Sequence, residues 1–275
     1  MLKEDINSDM QSQSQDKDIR NLEKRFAELS RTAYQREIVT YTDFLNLNEQ
    51  NILHTLPKDR LYTRPVSFGG YEMAERQMTA FIPEALYLRY GKKDLSPEEI
   101  GYPFCAVRIC PVNARFSEQL THRDYLGAVL NLGVERSRTG DIIPDEKEAM
   151  IFVHNDIAEL ILNELTRIRH TSVKTERVPL CDIRYVPRYD EIRGTVASVR
   201  LDSLLALAFT GSRSKLSGLI EGAKVYVNGR LITSNGYQPE EGDIISVRGM
   251  GKFRYDGCTG RSRKNRLTVA VSKYI

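Results

Sequence analysis

The stretch Ser198-Val199-Arg200-Leu201-Asp202-Ser203-Leu204-Leu205-Ala206-Leu207-Ala208-Phe209-Thr210-Gly211-Ser212-Arg213-Ser214-Lys215-Leu216-Ser217-Gly218-Leu219-Ile220-Glu221-Gly222 decides the fold of the last third of the chain. It reads as two short amphipathic helices in immediate succession. In the first, Leu201, Leu204, Leu205 and Ala208 recur at helical spacing and form one buried stripe. Ser198 is expected to cap this helix and Thr210-Gly211 to end it, with Arg200 and Asp202 off the stripe. The second helix starts at an N-cap serine, Ser212, buries Leu216, Leu219 and Ile220, and stops at Gly222. Arg213 and Lys215 stand in its first turn. Free amides and the positive end of the helix dipole already favour an anion there, and two cations add full charges beside them. The pattern predicts a cradle for phosphate.

Sheet follows. Lys224-Val225-Tyr226-Val227 alternates like a half-buried strand, and Asn228-Gly229 signals a hairpin because both positions tolerate positive φ. Arg230-Leu231-Ile232 returns, and Gly242-Asp243 precedes a strand over Ile244 to Arg248. Taken in order, Arg200-Leu201-Asp202, Ser212-Arg213, Ile220-Glu221-Gly222-x-x-Val225-x-Val227-Asn228-Gly229 and Gly242-Asp243-x-Ile245 resemble the S4 RNA-binding domain. The resemblance implies docking on structured RNA through Arg200, Ser212, Arg213, Lys215 and the Asn228 turn. Asp202 is expected to orient Arg200 rather than to touch phosphate. Lys224 and Arg230, on either side of the turn, join the residues expected to meet RNA.

The tail supports nucleic-acid binding independently. Lys252-Phe253-Arg254-Tyr255, an expected turn at Asp256-Gly257, and Arg261-Ser262-Arg263-Lys264-Asn265-Arg266 before Leu267 to Val271 read as a basic hairpin. Arg261, Arg263 and Lys264 are its expected RNA contacts; the competing reading is a solvated edge that discourages sheet addition. Charge is divided accordingly. Residues 192–275 carry 14 Lys/Arg against 6 Asp/Glu, whereas 1–191 carry 26 against 31. A one-signed module of this kind attracts polyanions through counterion release.

Upstream, Phe104 to Val112, a helix after Thr121 with Asp124 three residues on, strands at Asp141–Ile143 and Ala149–Val153, a helix capped by Asn155, and a strand over Val173 to Val178 give the order βαββαβ. That order predicts a ferredoxin-like, RNA-recognition-motif-like domain over 91–178. The strand from Glu148 to His154 lacks the Gly-aromatic pattern of an RNA-binding sheet, so Phe104 and Phe152 are read as core. Residues 1–90 are expected to form a mainly helical domain, with helices over 19–29 and Asn51 to Leu56, a strand at Pro65 to Phe68, a Gly69-Gly70 turn, a short helix from Tyr71 to Arg76 and another strand before Glu84. Residues 179–195, with Pro179 and Pro187, are expected to be a linker leading into the S4-type domain at 196–275. The predicted fold class is thus α+β.

The whole chain also resembles the YlmH-type proteins of Gram-positive bacteria. The resemblance rests on Gly69-Gly70-Tyr71-x-x-Ala74-Glu75-Arg76, on His122-Arg123-Asp124-Tyr125-Leu126-Gly127-Ala128-Val129-Leu130-x-Leu132-Gly133, on Gly140-Asp141-Ile142 and on the basic tail. It implies association with rRNA and tRNA on the large ribosomal subunit, in rescue or quality control of translation, and secondarily a link to cell division.

Other classes find little support in the residues. Cys105, Cys110, Cys181 and Cys258 are scattered without a Cys-x-x-Cys pair, so neither a metal nor a disulfide is expected. No cofactor is expected either. An RNA-modifying enzyme with an appended S4 domain needs a catalytic domain, and the chain has no Gly-x-Gly-x-x-Gly, P-loop or Gly-x-Ser-x-Gly. His122-Arg123-Asp124 is read as a helix cap, not a catalytic loop. A protein partner bound through the N-terminal domain remains compatible with RNA binding. With a polar Met1 to Asp18 and no apolar run near ~20 residues, the expected compartment is cytoplasmic and no membrane contact is expected.

Overall fold

Apolar residues at positions two apart make half-buried strands, and at three and four apart make packed helices; both periods run through this chain and sort it into two compact units, Met1–Arg184 and Tyr185–Ile275. In the computed structural model the described backbone covers residues 2–72, 74–91, 93–115, 117–183 and 188–274, with the side chains of 2–16 and of Arg213 outside the description.

The first unit begins with a long helix, α1 (Leu2–Arg36), followed by β1 (Thr40–Leu45), α2 (Leu47–Thr55), β2 (Arg64–Phe68), β3 (Gln77–Ile82), α3 (Glu84–Tyr90) and α4 (Pro97–Ile100). Helix α2 starts where Asn46 accepts from the amides of Asn48 and Glu49 while the Glu49 carboxylate reaches back to the Asn46 amide at 2.7 Å. Alongside these helices the region holds a sheet. Strands β1, β3 and β2 form an antiparallel sheet in that order. The described residues among 71–76 are not helical: the Asp141 carboxylate accepts from the Tyr71 hydroxyl and from the Glu75 and Arg76 amides, at 2.7, 2.7 and 3.0 Å, which draws these donors out of any helical pattern.

The unit continues with β4 (Phe104–Pro111), α5 (His122–Leu130), β5 (Thr139–Asp145), β6 (Glu148–His154), α6 (Asn155–Glu164), β7 (Arg167–Ile168) and β8 (Thr171–Val178). The sheet order is β5-β6-β4-β8-β7, every neighbour antiparallel. As expected, Asp124 closes the start of α5, accepting from the Thr121 amide and hydroxyl at 2.8 and 2.7 Å. The cap of α6 is His154, one residue earlier than expected. Its Nδ1 accepts from the Asp156 amide at 3.2 Å, and burial lowers its pKa, which favours the neutral ring that can accept.

One face of this sheet packs on α5 and α6 through Val107, Ile109, Ile151, Tyr125, Val129 and Ile161. The other face is closed by the N-terminal elements. Phe104, Ala106, Phe152 and Val178 share a core with Phe44, Met78, Ala80 and Ile82, and Tyr71 stacks on Phe152 at 5.6 Å. Both phenylalanines are therefore core residues. The sequence pattern suggests a division near residue 90, whereas this apolar core runs across it.

The second unit contains β9 (Tyr189–Val196), α7 (Leu201–Ala208), α8 (Arg213–Glu221), β10 (Val225–Val227), β11 (Arg230–Leu231), β12 (Ile244–Val247), β13 (Gly251–Arg261) and β14 (Leu267–Tyr274). Its antiparallel sheet has the order β11-β10-β12-β13-β14-β9. Strand β9 occupies residues expected in a linker; it pairs with the whole of β14, Leu267 opposite Val196 and Tyr274 opposite Tyr189. Helices α7 and α8 share one core with the sheet, in which Leu204, Leu205, Ile220, Val225, Ile245, Phe253 and Val269 are fully buried.

Candidate nucleic-acid interface

The interface builds outward from α7. Ser198 does not cap it. The helix begins after Arg200, whose backbone is extended, and its first amides are taken by a distant loop: Leu201 N–H donates to Tyr237 O at 2.8 Å and Asp202 N–H to Asn235 O at 3.4 Å. With those donors spent, this helix start offers side chains rather than amides. Arg200 makes two hydrogen bonds to Asp202, Nε to Oδ1 at 3.2 Å and the guanidinium NH2 to Oδ2 at 3.3 Å. The pair is partly exposed, so solvent screening leaves it adding little stability. The two bonds hold the guanidinium at the head of α7.

Helix α8 differs. Ser212 accepts from the Lys215 amide at 3.3 Å, and its carbonyl accepts from Leu216 N–H. Ser212, Ser214 and Lys215 are exposed, and Lys215 forms no ion pair with a described residue. Arg213 is the first residue of the helix; its side chain lies outside the described residues. Nearby, the Lys273 ammonium sits 5.2 Å from the centre of the Phe209 ring, three residues before Ser212. Phe253 pairs with Lys273 across the sheet and meets Phe209 edge-on, so only tertiary structure brings residue 273 beside residue 209.

The Asn228-Gly229 turn forms as expected, with φ of 48° and 78°. Asn228 itself is internally committed. Its side-chain NH2 donates to Asp243 at 2.7 Å, and its side-chain oxygen accepts from Ile244 N–H at 2.9 Å. Changing Asn228 to alanine should cost ~1–2 kcal/mol of stability, since both bonds vanish at a left-handed position that alanine tolerates poorly. Urea unfolding checks this, and an unchanged midpoint would make the two bonds energetically silent. Lys224 and Arg230 are exposed on either side of the turn.

Asp256-Gly257 is not a turn. Strand β13 runs through it with a register shift between Tyr255 and Gly257, and Gly257, at φ +102°, supplies the bulge conformation. The reversal lies at residues 262–266, where Ser262 N–H donates to Arg266 O at 2.8 Å and Arg261 reaches the Asn265 side chain at 2.9 Å. Arg263 and Lys264 project at this tip, exposed and without an ion pair to a described residue. Arg266 ties the tip to β9, donating to Thr195 O at 2.8 Å.

The expected residues thus fall into two groups. Leu267 pairs with Val196, and Arg200 follows four residues later, at most ~14 Å of chain away. Arg200 and the tip cations therefore share one end of the sheet. Ser212 and Lys215 lie beyond the other end of α7, whose eight residues span ~12 Å. The arrangement suits an extended polyanion lying along α7 better than a single phosphate.

Comparison with known proteins bears on the same stretch of chain. Residues 199–245 match the family model "S4 domain", and residues 98–182 match "Putative RNA-binding domain in YlmH". The chain is 30% identical over 262 residues to the ribosome-associated protein quality control protein P2 of Bacillus subtilis (strain 168), covering 94% of this chain and 96% of that one. The chain belongs to the YlmH family. A solved structure, the cell division protein ylmH from Streptococcus pneumoniae, matches with a TM-score of 0.47 and 24% identity over 61% of this chain and 93% of that chain. For this YlmH-family chain, no helix among the described residues is long and apolar enough to cross a membrane. No three His, Cys, Asp or Glu side chains among them gather as a metal site.

Proposed function

We propose that this chain is an RNA-binding protein that docks on structured rRNA and tRNA at the large ribosomal subunit, in the cytoplasm, and takes part in quality control of translation without catalysing a reaction. The observation that carries the reading is the exposed serine-capped start of α8 with Lys215 beside it, on a module matching the S4 family. Membership in a family with a ribosome-associated quality-control relative supports the ribosomal setting. Arg200, Ser212, Arg213, Lys215, Lys224, Arg230, Arg261, Arg263, Lys264 and the backbone of the Asn228 turn are assigned to RNA, with Asp202 orienting Arg200. The βαββαβ order and the strand order β5-β6-β4-β8 support a ferredoxin-like reading of 91–178. The sheet face that an RNA-recognition motif would use is occupied by Phe44 and Tyr71 in the first unit's core. RNA contact is accordingly assigned first to the second unit.

The test is ultraviolet crosslinking of the full chain to ribosomes and tRNA, with the linked peptides identified, together with the variant Arg261→Ala/Arg263→Ala/Lys264→Ala. Crosslinks in 200–230 and 261–266 are expected. The variant should lose ~1–2 kcal/mol of affinity for structured RNA and show a flatter salt dependence, because fewer counterions are released. Unaltered affinity and slope, with no crosslink in the second unit, would overturn the assignment.

A further inference from the structure

The first unit carries an exposed aromatic pair that lies outside the interface assigned to the second unit. Tyr34 and Tyr62 are 60% and 56% exposed, with ring centres 6.0 Å apart and planes inclined by 32°. The residues are 28 positions apart, and specific tertiary bonds bring them together. Buried Ser30, one turn before Tyr34 on α1, accepts from the amides of both Tyr62 and Thr63 at 2.9 Å, and its hydroxyl also bonds that of Thr63. Leu56 and Leu61 anchor the same strap in the α1 core beside Phe26. Both tyrosines are therefore held on fixed backbone with their rings in solvent. Ile38, just past the end of α1, adds a third exposed apolar side chain at 48%.

The charge around them has one dominant sign. Arg31 lies one helical turn before Tyr34, and Lys58 and Arg60 stand four and two residues before Tyr62; all three are exposed and form no ion pair with a described residue. Over residues 31–38 and 58–62 the acids are Glu37 and Asp59, against the four cations Arg31, Arg36, Lys58 and Arg60. Yet residues 1–184 as a whole carry 25 Lys/Arg against 29 Asp/Glu. A cationic collar in an otherwise acidic unit selects for a polyanion, and paired ring faces select for planar partners. Every base offers such a face, whatever its sequence.

We propose that Tyr34 and Tyr62, flanked by Arg31, Lys58 and Arg60, form a stacking platform for unpaired nucleotides of single-stranded RNA. This gives the chain a second RNA contact, on the first unit. The inference rests on the reading of the chain as an RNA binder, but on none of the residues assigned to RNA in the second unit. Lys58 and Arg60 hold the backbone phosphates while the rings take two successive bases.

The experiment uses the full chain and two probes, a 12-nucleotide oligoadenylate and a ribosomal hairpin RNA. The variant Tyr34→Ala/Tyr62→Ala should weaken oligoadenylate binding roughly tenfold or more, whereas Tyr34→Phe/Tyr62→Phe should retain it because the stacking faces remain. Lys58→Ala/Arg60→Ala should weaken it with a flatter salt dependence. Photocrosslinked oligoadenylate should map to peptides containing Tyr34 or Tyr62. The inference fails if the alanine pair binds oligoadenylate like the parent while the hairpin-tip variant still loses affinity for the ribosomal RNA. If neither variant set alters any RNA binding, the RNA-binding reading itself fails with it. Loss of a protein partner by the alanine pair, with RNA binding intact, would reassign the platform to protein and also overturn the proposal.

Discussion

Replacing Arg213 and Lys215 together by alanine should weaken binding to structured RNA by ~2–4 kcal/mol, roughly 30- to 700-fold. The magnitude follows from the environment of α8. Charge-assisted hydrogen bonds contribute ~1.5–3 kcal/mol each when water is excluded; at an exposed helix start, where solvent screens them, two come to ~2–4 kcal/mol beside a dipole that already favours phosphate. Nothing described in the fold competes for Lys215. The loss should appear mainly at low salt, and the slope of affinity against salt should fall by about one unit for each phosphate that is no longer neutralised. Ser212→Ala separates the charges from the cap: it should lower helix stability by ~0.5–2 kcal/mol while leaving the salt slope in place. A folded double variant with parental affinity and slope would remove these residues from the interface.

Much of the second unit was legible because its signals are local. Helices α7 and α8 declare themselves through apolar spacing, and the Asn228-Gly229 turn through two residues that accept positive φ. What the sequence hid is nonlocal. Ser198 has the right chemistry for a cap, but the amides it would serve bond to Tyr237 and Asn235, and no window around residue 198 contains those carbonyls. Asp256-Gly257 carries a turn dipeptide, yet the same backbone freedom suits a bulge, and only the pairing with β14 chooses between them. In the N-terminal sheet the strands at Pro65–Phe68 and before Glu84 could be read locally, but their assembly with β1 could not, since Thr40 meets Phe81 across 41 positions of chain. Tyr71 to Arg76 looked helical because its donors find their acceptor, Asp141, some 65 to 70 residues later. The pairing of Tyr34 with Tyr62 belongs to the same class: it depends on Ser30 receiving a strap from beyond α2.

The Gly-Gly turn at residues 69 and 70 shows what this long-range assembly demands. Gly70 sits at φ +100°, and a Cβ placed there would lie 2.1 Å from Cε1 of Phe152 and 2.3 Å from Cδ1. The Phe152 ring has little room to retreat. It is fully buried, Tyr71 stacks on it at 5.6 Å, Phe104 meets it edge-on at 6.5 Å, and Gly140 lies close enough that a Cβ there would come within 2.9 Å of its own Cβ. Gly70→Val therefore combines overpacking, ~1–3 kcal/mol, with a strained backbone, ~1–3 kcal/mol, for a total of ~2–6 kcal/mol. Gly91 is the control, since its left-handed backbone, φ +61°, has nothing within 4 Å of an added Cβ. Gly91→Ala should cost only the backbone part, ~1–2 kcal/mol. The two causes at Gly70 separate in a double variant, because Phe152→Ala empties the space that the introduced valine side chain would invade. Phe152→Ala alone should cost ~3–5 kcal/mol, and the pair should cost less than the two single changes added together. Thermal unfolding followed by near-ultraviolet circular dichroism reads these differences. Additive costs would mean that Gly70 is required for its backbone angle alone and that Phe152 does not press on the turn.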